Sequence, residues 1–139
     1  MDGKSLVNAI DHLDPEFVFV SGAFVPSKNL NYKLDGDTKE IARFWFRKSV
    51  LEYERMLRQD LVEEVAGMTL FPTAQEVHLA ITFGIPPDQY HTGDIDNKAK
   101  TIVDALKGPI YLDDLQVKIL WVDKQLTQKE ENWCVIAVK

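Results

Sequence analysis

The aspartates in the second half of the chain are spaced as metal ligands could be. Asp94 and Asp96 are separated by one residue, and the pair Asp113-Asp114 follows about eighteen residues later. In an extended backbone, side chains two positions apart point the same way, so Asp94 and Asp96 would repel each other. Two like charges about 4 Å apart cost on the order of 4 kcal/mol at an effective dielectric constant of about 20. Such a pair either raises the pKa of one carboxyl group or binds a cation.

The ligand type indicates which cation these aspartates would hold. Three carboxylates with no His or Cys beside them favour a hard ion, and Mg²⁺ with several retained waters fits better than Zn²⁺. Alternation in the strand predicted after Asp114 puts Asp113 on the apolar side and Asp114 on the polar side, so Asp114 is the better third ligand. The alternative is structural, with Asp96 as a helix cap and Asp113-Asp114 as a turn, which are the usual positions of Asp.

A lysine extends this acidic group. Asp96, Lys100 and Asp104 occupy positions i, i+4 and i+8 of a predicted helix, so Lys100 projects from the same helix face as Asp96. Its ammonium group could stabilise negative charge that develops during phosphoryl transfer. The alternative is an intrahelical ion pair, worth about 0.3–0.5 kcal/mol.

Hydrophobic periodicity predicts the elements that must position these residues. Alternating or continuous apolar residues predict four strands, at residues 16–25, 76–85, 115–123 and 133–138. A long helix from Thr38 to near Gly67 is predicted from apolar residues at three- and four-residue steps: Phe46, Val50, Tyr53, Leu57, Leu61 and Val65. A shorter helix, capped by Asp94 or Asp96 and ended by Gly108-Pro109, carries the apolar stripe Ala99, Ile102, Val103 and Leu106.

The order of these elements predicts an α+β fold. Strand, long helix, strand, short helix, strand and strand together suggest a small mixed sheet of about four strands, with both helices packed on one of its faces. The 139 residues are expected to form a single domain, residues 1–139, because a chain of this length can bury roughly 68% of its unfolded surface.

The charge distribution restricts how the protein could bind nucleic acid. A formal net charge of −6 argues against binding by overall electrostatics, so DNA would need a local basic surface or a bound metal. The candidate basic residues are Lys28, Arg43, Arg47, Lys48, Arg55 and Arg58. The alternative is a solvated helix surface on which these residues pair with Glu52, Glu54 and Asp60.

Cysteine content and apolar run lengths indicate the compartment. The lone Cys134 excludes an internal disulfide framework and a cysteine-based zinc site. The apolar stretches are only a few residues long, whereas a membrane span needs about 20, and the first residues lack the pattern of a secretory signal. We therefore expect a cytoplasmic protein without membrane contact.

One stretch of sequence resembles the signature of the RusA-type crossover junction endodeoxyribonucleases, dimeric resolvases common on bacteriophages and prophages. The resemblance is carried by Asp94-Ile-Asp96-Asn97-Lys98-Ala99-Lys100, then Asp104-Ala105-Leu106-Lys107-Gly108, then Asp113-Asp114-Leu115-Gln116-Val117. It implies that Asp94, Asp96 and Asp114 are catalytic metal-binding acids and that Lys100 is a catalytic lysine. Asn97, Asp104 and Asp113 would support them.

The resemblance also implies a reaction and its partners. It implies a homodimer that hydrolyses phosphodiesters at four-way DNA junctions with Mg²⁺, or with Mn²⁺ in its place. A two-fold dimer can present one active site to each of two opposed strands of a symmetric junction and so make paired nicks. The exposed apolar residues expected to be buried between the subunits are Phe44, Trp45, Leu51, Leu120 and Val122.

The sequence departs from the family pattern just before the first aspartate. Family members often carry Arg or Lys there, whereas this chain has the segment from Pro87 to Gly93, with His91 as a partial substitute or an exposed loop histidine. Two alternatives to junction resolution therefore stay open. They are a nuclease for other branched DNA and a catalytically silent DNA-binding or assembly protein with the same fold.

Overall fold

The structure is a computed structural model, and it describes residues 14–22, 36–91 and 93–139, with side chains of the long helix described from residue 49 onward. Its elements are β1 (Phe17–Ser21), α1 (Gly36–Val65), β2 (Val77–Ile85), α2 (Ile95–Leu106), β3 (Val117–Leu126) and β4 (Trp133–Val138). A short 3-10 turn, Asp114–Gln116, immediately precedes β3.

The four strands form one mixed sheet in the order β1-β4-β2-β3. Strand β4 pairs antiparallel with both β1 and β2, whereas β2 and β3 are parallel and paired from Val77–Val117 to Ile85–Leu126. Parallel neighbours need a crossover connection, and α2 provides it. The predicted α+β class and the four-stranded mixed sheet are confirmed.

Both helices contribute to one hydrophobic core. The predicted stripe of α1 is buried at Val50, Tyr53, Leu57, Leu61 and Val65, while the side chain of Phe46 lies outside the described part. Helix α2 buries Ala99, Ile102, Ala105 and Leu106 in the same cluster as alternate residues of β2 and β4, such as Leu79, Ile81 and Ile136. Alternate residues of a strand share one face, so α1 and α2 pack on the same side of the sheet, as predicted.

The opposite face of the sheet is built from small residues covered by tryptophan. Ala80 and Ala137 are fully buried beside the partly buried Trp121. Gly84 lies directly under the indole ring of Trp133, and a Cβ atom at Gly84 would come within 2.1 Å of Cε2 of that ring. Glycine is therefore required at position 84 by close packing.

Two strand boundaries differ from the predictions. Strand β1 ends at Ser21, and residues 23–25 lie outside the described part of the chain. Strand β3 begins at Val117, and Asp114–Gln116 form the 3-10 turn before it. The strand alternation used to separate Asp113 from Asp114 is therefore wrong, because neither residue is in a strand. Leu115, expected on the apolar side of that strand, is 90% exposed.

Within residues 14–22, 36–91 and 93–139, none of the helices has the length and apolar character needed to cross a bilayer.

Candidate active site

The crossover through α2 sets where the acidic residues lie. The chain leaves β2 at Ile85 and enters β3 at Val117, which pairs with the opposite end of β2 at Val77. Helix α2 must therefore run back along the sheet, antiparallel to both strands. Asp94 and Asp96 lie at the Ile85 end of this crossover, and Asp113-Asp114 lie at the Val77 end.

Asp94 and Asp96 meet at the N-terminus of α2. Asp94 is the N-cap residue, with φ −89° and ψ 138°, while Asp96 is already in the first helical turn. The two are therefore not joined by an extended backbone, which corrects the geometry assumed from the sequence. Asn97 links them instead, because its backbone N–H donates to Oδ1 of Asp96 at 3.0 Å and its side-chain Nδ2 lies 3.5 Å from Oδ2 of Asp94.

The carboxylate of Asp94 is not used as a helix cap. An Asp at the N-cap usually accepts a hydrogen bond from a backbone N–H of the first turn, but the side chain of Asp94 makes no such bond. Both Asp94 and Asp96 are exposed. Two carboxylates linked by Asn97 thus come together in solvent at the positive end of a helix dipole. This set of oxygen donors suits a hard divalent cation, which fits the expectation of Mg²⁺ or Mn²⁺.

Asp113 has a structural role at the other end. Its Oδ1 accepts a hydrogen bond from the N–H of Leu115 at 3.0 Å, and Oε1 of Gln116 accepts from the N–H of Asp113 at 2.9 Å. These reciprocal bonds form a capping box. The Leu115 N–H, then a hydrogen bond with Asp114, lower the pKa of Asp113. The alternative that Asp113-Asp114 forms a turn agrees with this geometry, in which Asp114 is exposed.

Within a single chain, Asp114 lies at the opposite end of α2 from Asp94 and Asp96. Asp96 and Asp104 are eight residues apart on α2, about 12 Å along its axis. Asp114 lies near the later end, because Tyr111, whose hydroxyl donates to the carbonyl of Val103, has a pKa raised by burial and then by the charges of Asp114 and Asp104. Accordingly, no group of three or more His, Cys, Asp and Glu within residues 14–22, 36–91 and 93–139 is placed to hold a metal ion.

Two lysines of α2 lie close to the first acids but in different surroundings. Lys100 is exposed in the same helix as Asp96 and Asp104, which keeps the predicted line of three residues. Lys98 is only 4% exposed, and loss of hydration on burial lowers its pKa to about 8. Sequence reasoning did not predict that Lys98 is buried. The available signal was its position on the apolar stripe of α2, four residues before Ile102.

The predicted basic surface is only partly described. Lys28 lies outside the described residues, as do the side chains of Arg43, Arg47 and Lys48. Arg55 pairs with Glu52 at 3.3 Å on the exposed surface, as the structural alternative expected. Arg58 instead donates to the backbone carbonyls of Asp104 at 2.8 Å and Lys107 at 3.2 Å, two acceptors at the C-terminus of α2. Any role of these residues in DNA binding stays a prediction.

The site and the comparisons point in the same direction. Exposed carboxylates beside an exposed lysine are groups that a metal-assisted hydrolase can use. The sequence model of the family described as Endodeoxyribonuclease RusA matches residues 22–138. The chain therefore belongs to the RusA family, whose members are endodeoxyribonucleases acting on Holliday junctions, and the resemblance seen in the sequence is confirmed. A search of curated proteins gave no match.

Proposed function

We propose that this protein is a divalent-metal-dependent endodeoxyribonuclease that resolves four-way DNA junctions by paired nicks. The observation that carries the proposal is the N-terminus of α2, where Asn97 links the exposed carboxylates of Asp94 and Asp96, in a chain of the RusA family. Because the Asp94 side chain makes no cap bond, a purely structural reason for it is lacking.

Asp94 and Asp96 would hold Mg²⁺, and Mn²⁺ could replace it, with Asn97 orienting both carboxylates. When bound, such an ion stabilises negative charge on a phosphate oxygen and makes a water molecule a better nucleophile. Lys100 projects from the same helix one turn after Asp96. Its ammonium group would stabilise the charge that develops on the phosphate as the P–O bond breaks.

The third acid, Asp114, supports a dimer. Within one chain it lies at the other end of α2, yet a two-fold dimer can bring Asp114 of one subunit to Asp94 and Asp96 of the other. The surface around Asp114 is apolar, with Leu115 90% exposed and Leu112 58% exposed. Leu120, expected at the interface, is 46% exposed, while Val122 is already partly buried against the core. We therefore propose a homodimer with two active sites, each completed by both subunits.

DNA would be held by a minority basic surface because the chain carries a net charge of −6. Lys28, Arg43, Arg47, Lys48 and Arg55 remain the proposed phosphate contacts. Arg58 is the weakest of the original candidates, since its guanidinium already binds two backbone carbonyls.

A second candidate is a nuclease for other branched DNA. The observation that favours it is the segment from Pro87 to Gly93, which carries no Arg or Lys to grip a junction. A catalytically silent protein is the weakest alternative, because it would have no need to keep Asp94, Asp96, Lys100 and Asp114 together.

Cleavage of labelled substrates separates these functions. Four-way junction, flap and linear duplex are each incubated with the protein in Mg²⁺ or in EDTA. We expect symmetric paired nicks in the junction only with Mg²⁺. Preferred cutting of the flap would support the second candidate, and cutting of no substrate in either Mg²⁺ or Mn²⁺ would overturn the proposed activity.

Mixing variants tests the shared site. Asp94→Asn and Asp114→Asn each disable both sites of a homodimer. In a mixed dimer, one shared site combines Asp94 of one subunit with Asp114 of the other and stays intact, so mixing two inactive proteins should restore single nicks. If all acids of a site came from one chain, each site of the mixed dimer would carry one substitution and no activity would return.

A further inference from the structure

The segment that carries Asp94 is attached to the sheet by a lysine of β3. This segment, residues 86–91 and 93 and here called the β2–α2 loop, begins with a turn in which the N–H of Gln89 donates to the carbonyl of Pro86 at 3.0 Å. Nζ of Lys124 donates to the carbonyl of Tyr90 at 2.7 Å. The same ammonium group lies 4.2 Å from the centroid of the Tyr90 ring.

The register of the sheet explains why Lys124 reaches this loop. Lys124 pairs with Phe83 and lies two residues from Val122, which packs against the core on the helix side. Its side chain is therefore on the helix face of an edge strand, where it is partly buried. A charge-assisted hydrogen bond and a cation–π contact to one residue are stronger than either alone, and a partly buried carbonyl needs a donor.

Helix α2 packs against the same loop just before Asp94. A Cβ atom placed on Gly93 would lie 3.6 Å from Cε of Lys98, so these two residues are neighbours. Gly93 also has φ +74°, a backbone conformation that favours glycine. Tyr90 also packs against the main core and makes an edge contact with the ring of His91. The loop is thus held at Tyr90 by Lys124 from β3 and packed at Gly93 by Lys98 from α2.

We infer that Lys124 is a positioning residue for the metal site: it holds the Tyr90 carbonyl and ring, and thereby sets where the loop delivers Asp94 beside Asp96. Asp94 is four residues after Tyr90, and its side chain has no cap bond to fix it. Without Lys124, the position of the Asp94 carboxylate relative to that of Asp96 would depend mainly on the long 3.5 Å contact between Asn97 and Asp94. This inference rests on the proposed function only in assigning a metal to Asp94 and Asp96.

The experiment compares Lys124→Met with Lys124→Arg and with Lys118→Met as the matched control. Lys118 is on the same strand, but it forms an exposed ion pair with Glu76 at 3.5 Å and is next to Val117, at the opposite end of the β2–β3 pairing from Ile85. Hydrogen exchange of the metal-free protein is measured first. We expect faster exchange of amides within residues 86–94 in Lys124→Met, and no change there in Lys118→Met.

Metal binding is then measured on the DNA-free protein by electron paramagnetic resonance of Mn²⁺. We expect Lys124→Met to weaken Mn²⁺ binding by at least about tenfold, as loss of a group that orients metal ligands commonly does. Lys124→Arg should restore most of the affinity, because a guanidinium can also bond the carbonyl and stack on the ring. Tyr90→Leu, which keeps the carbonyl and removes the ring, should give a smaller loss.

The outcomes separate this inference from the proposed function. Unchanged loop exchange in Lys124→Met, or Mn²⁺ affinity equal to that of the wild type, would overturn the positioning role even if junctions are cut. Conversely, a wild-type protein that binds Mn²⁺ but cuts no DNA would overturn the proposed nuclease. In that case the expected losses in Lys124→Met, with rescue by Arg, would still support the positioning of Asp94. If Lys124→Met fails to fold, Tyr90→Leu provides the test, and wild-type exchange and affinity in Tyr90→Leu would overturn the inference.

Discussion

The two ends of α2 are built in opposite ways. At the C-terminal end, polar side chains donate hydrogen bonds to backbone carbonyls. Arg58 donates to the carbonyls of Asp104 and Lys107, and Tyr111 donates to that of Val103. Gln116 adds bonds to the carbonyls of Thr73 and Gln75 at 2.8 and 2.9 Å. The bonds from Arg58 and Tyr111 satisfy carbonyls that the C-terminus of α2 leaves without partners within the helix.

At the N-terminal end of α2, by contrast, charged groups lie where their electrostatic interactions lower the stability of the fold. Asp94 occupies the cap position without capping, Asp96 places a second carboxylate nearby, and Lys98 is buried with a lowered pKa. A cation would relieve the repulsion between the carboxylates, whereas Arg58, Tyr111 and Gln116 at the C-terminal end already have backbone partners. The side chains at the C-terminal end therefore stabilise the fold, whereas the exposed carboxylates at the N-terminal end fit the metal-binding role proposed above, which would come at some cost in stability.

The largest expected effect is a loss of DNA cleavage, and it tests whether residues at both ends of α2 bind the metal. Asp94→Asn, Asp96→Asn and Asp114→Asn should each lower Mg²⁺-dependent cleavage by at least about a hundredfold, because each removes a charge from the cation while keeping the side-chain shape. Circular dichroism should show folded proteins in each case, and Asp88→Asn in the exposed loop should cleave normally.

The same series also assigns the two aspartates at the C-terminal end. Asp113→Asn should keep cleavage activity and lose some thermal stability, since Asp113 accepts the Leu115 N–H in the capping box. If Asp114→Asn stayed active while Asp113→Asn lost activity, their assignment would be reversed. Full activity in both variants would restrict the metal site to the N-terminal end of α2.

The second prediction concerns stability and contrasts two arginines of α1. Arg58→Met should lower the free energy of unfolding by about 2 kcal/mol, because it removes charge-assisted hydrogen bonds to two carbonyls. Arg55→Met should change it by less than about 0.5 kcal/mol, because its ion pair with Glu52 is exposed. Urea unfolding measures both. Equal effects of the two substitutions would show that the contacts of Arg58 contribute little to the C-terminal end.

Local periodicity was sufficient to predict the fold. The stripe from Val50 to Val65 and the alternation of β2 repeat with the period of their own element, so a short window of sequence reveals which face is buried. The end of α2 before Gly108 was also readable, since this glycine has φ +109°. The family resemblance, carried by residues 94–117, was equally local and is confirmed by the family match.

Features that depend on distant contacts were not predictable. The turn at Asp114–Gln116 is held by bonds from Gln116 to residues more than forty positions earlier, so alternation gave the wrong geometry for Asp113 and Asp114. Arg58 reaches carbonyls 46 and 49 residues away, which no charge pattern within α1 reveals. The separation of Asp114 from Asp94 likewise follows from the crossover. The catalytic roles of these residues remain predictions.

A smaller effect on catalysis is expected at Lys100. Lys100→Ala should lower the cleavage rate at saturating junction by at least about tenfold, while junction affinity changes little, because a contact made in the transition state acts on the barrier rather than on binding. Lys107→Ala, just beyond the C-terminal end of α2, should leave this rate unchanged. Parallel losses of rate and affinity in Lys100→Ala would make Lys100 a DNA anchor instead.

The smallest effect sharpens the claim that the N-terminal end of α2 is costly to fold. With a folded-state pKa of about 8, below the value near 10.4 in the unfolded chain, Lys98 carries its proton in both states at pH 7, where the full cost of a buried ammonium applies. Between these values only the unfolded chain keeps the proton, so this contribution makes stability rise with pH. Lys98→Met should therefore stabilise the protein by about 1 kcal/mol at pH 7 and by progressively less toward pH 10.

The control for Lys98 must remove other groups that titrate in this range. Burial raises the pKa of the Cys134 thiol, so this group makes stability fall as pH rises above its unfolded-state value near 8.5. Because Lys98 and Cys134 also interact electrostatically, both proteins carry Cys134→Ala, so that the difference between their unfolding free energies in EDTA isolates Lys98. Lys100→Met, a substitution of an exposed lysine on the same helix, is measured in the same way as the matched control. A Lys98→Met protein that is less stable than wild type at pH 7 would show that the buried ammonium stabilises the N-terminal end of α2. Any stability cost of this end would then have to come from Asp94 and Asp96 alone.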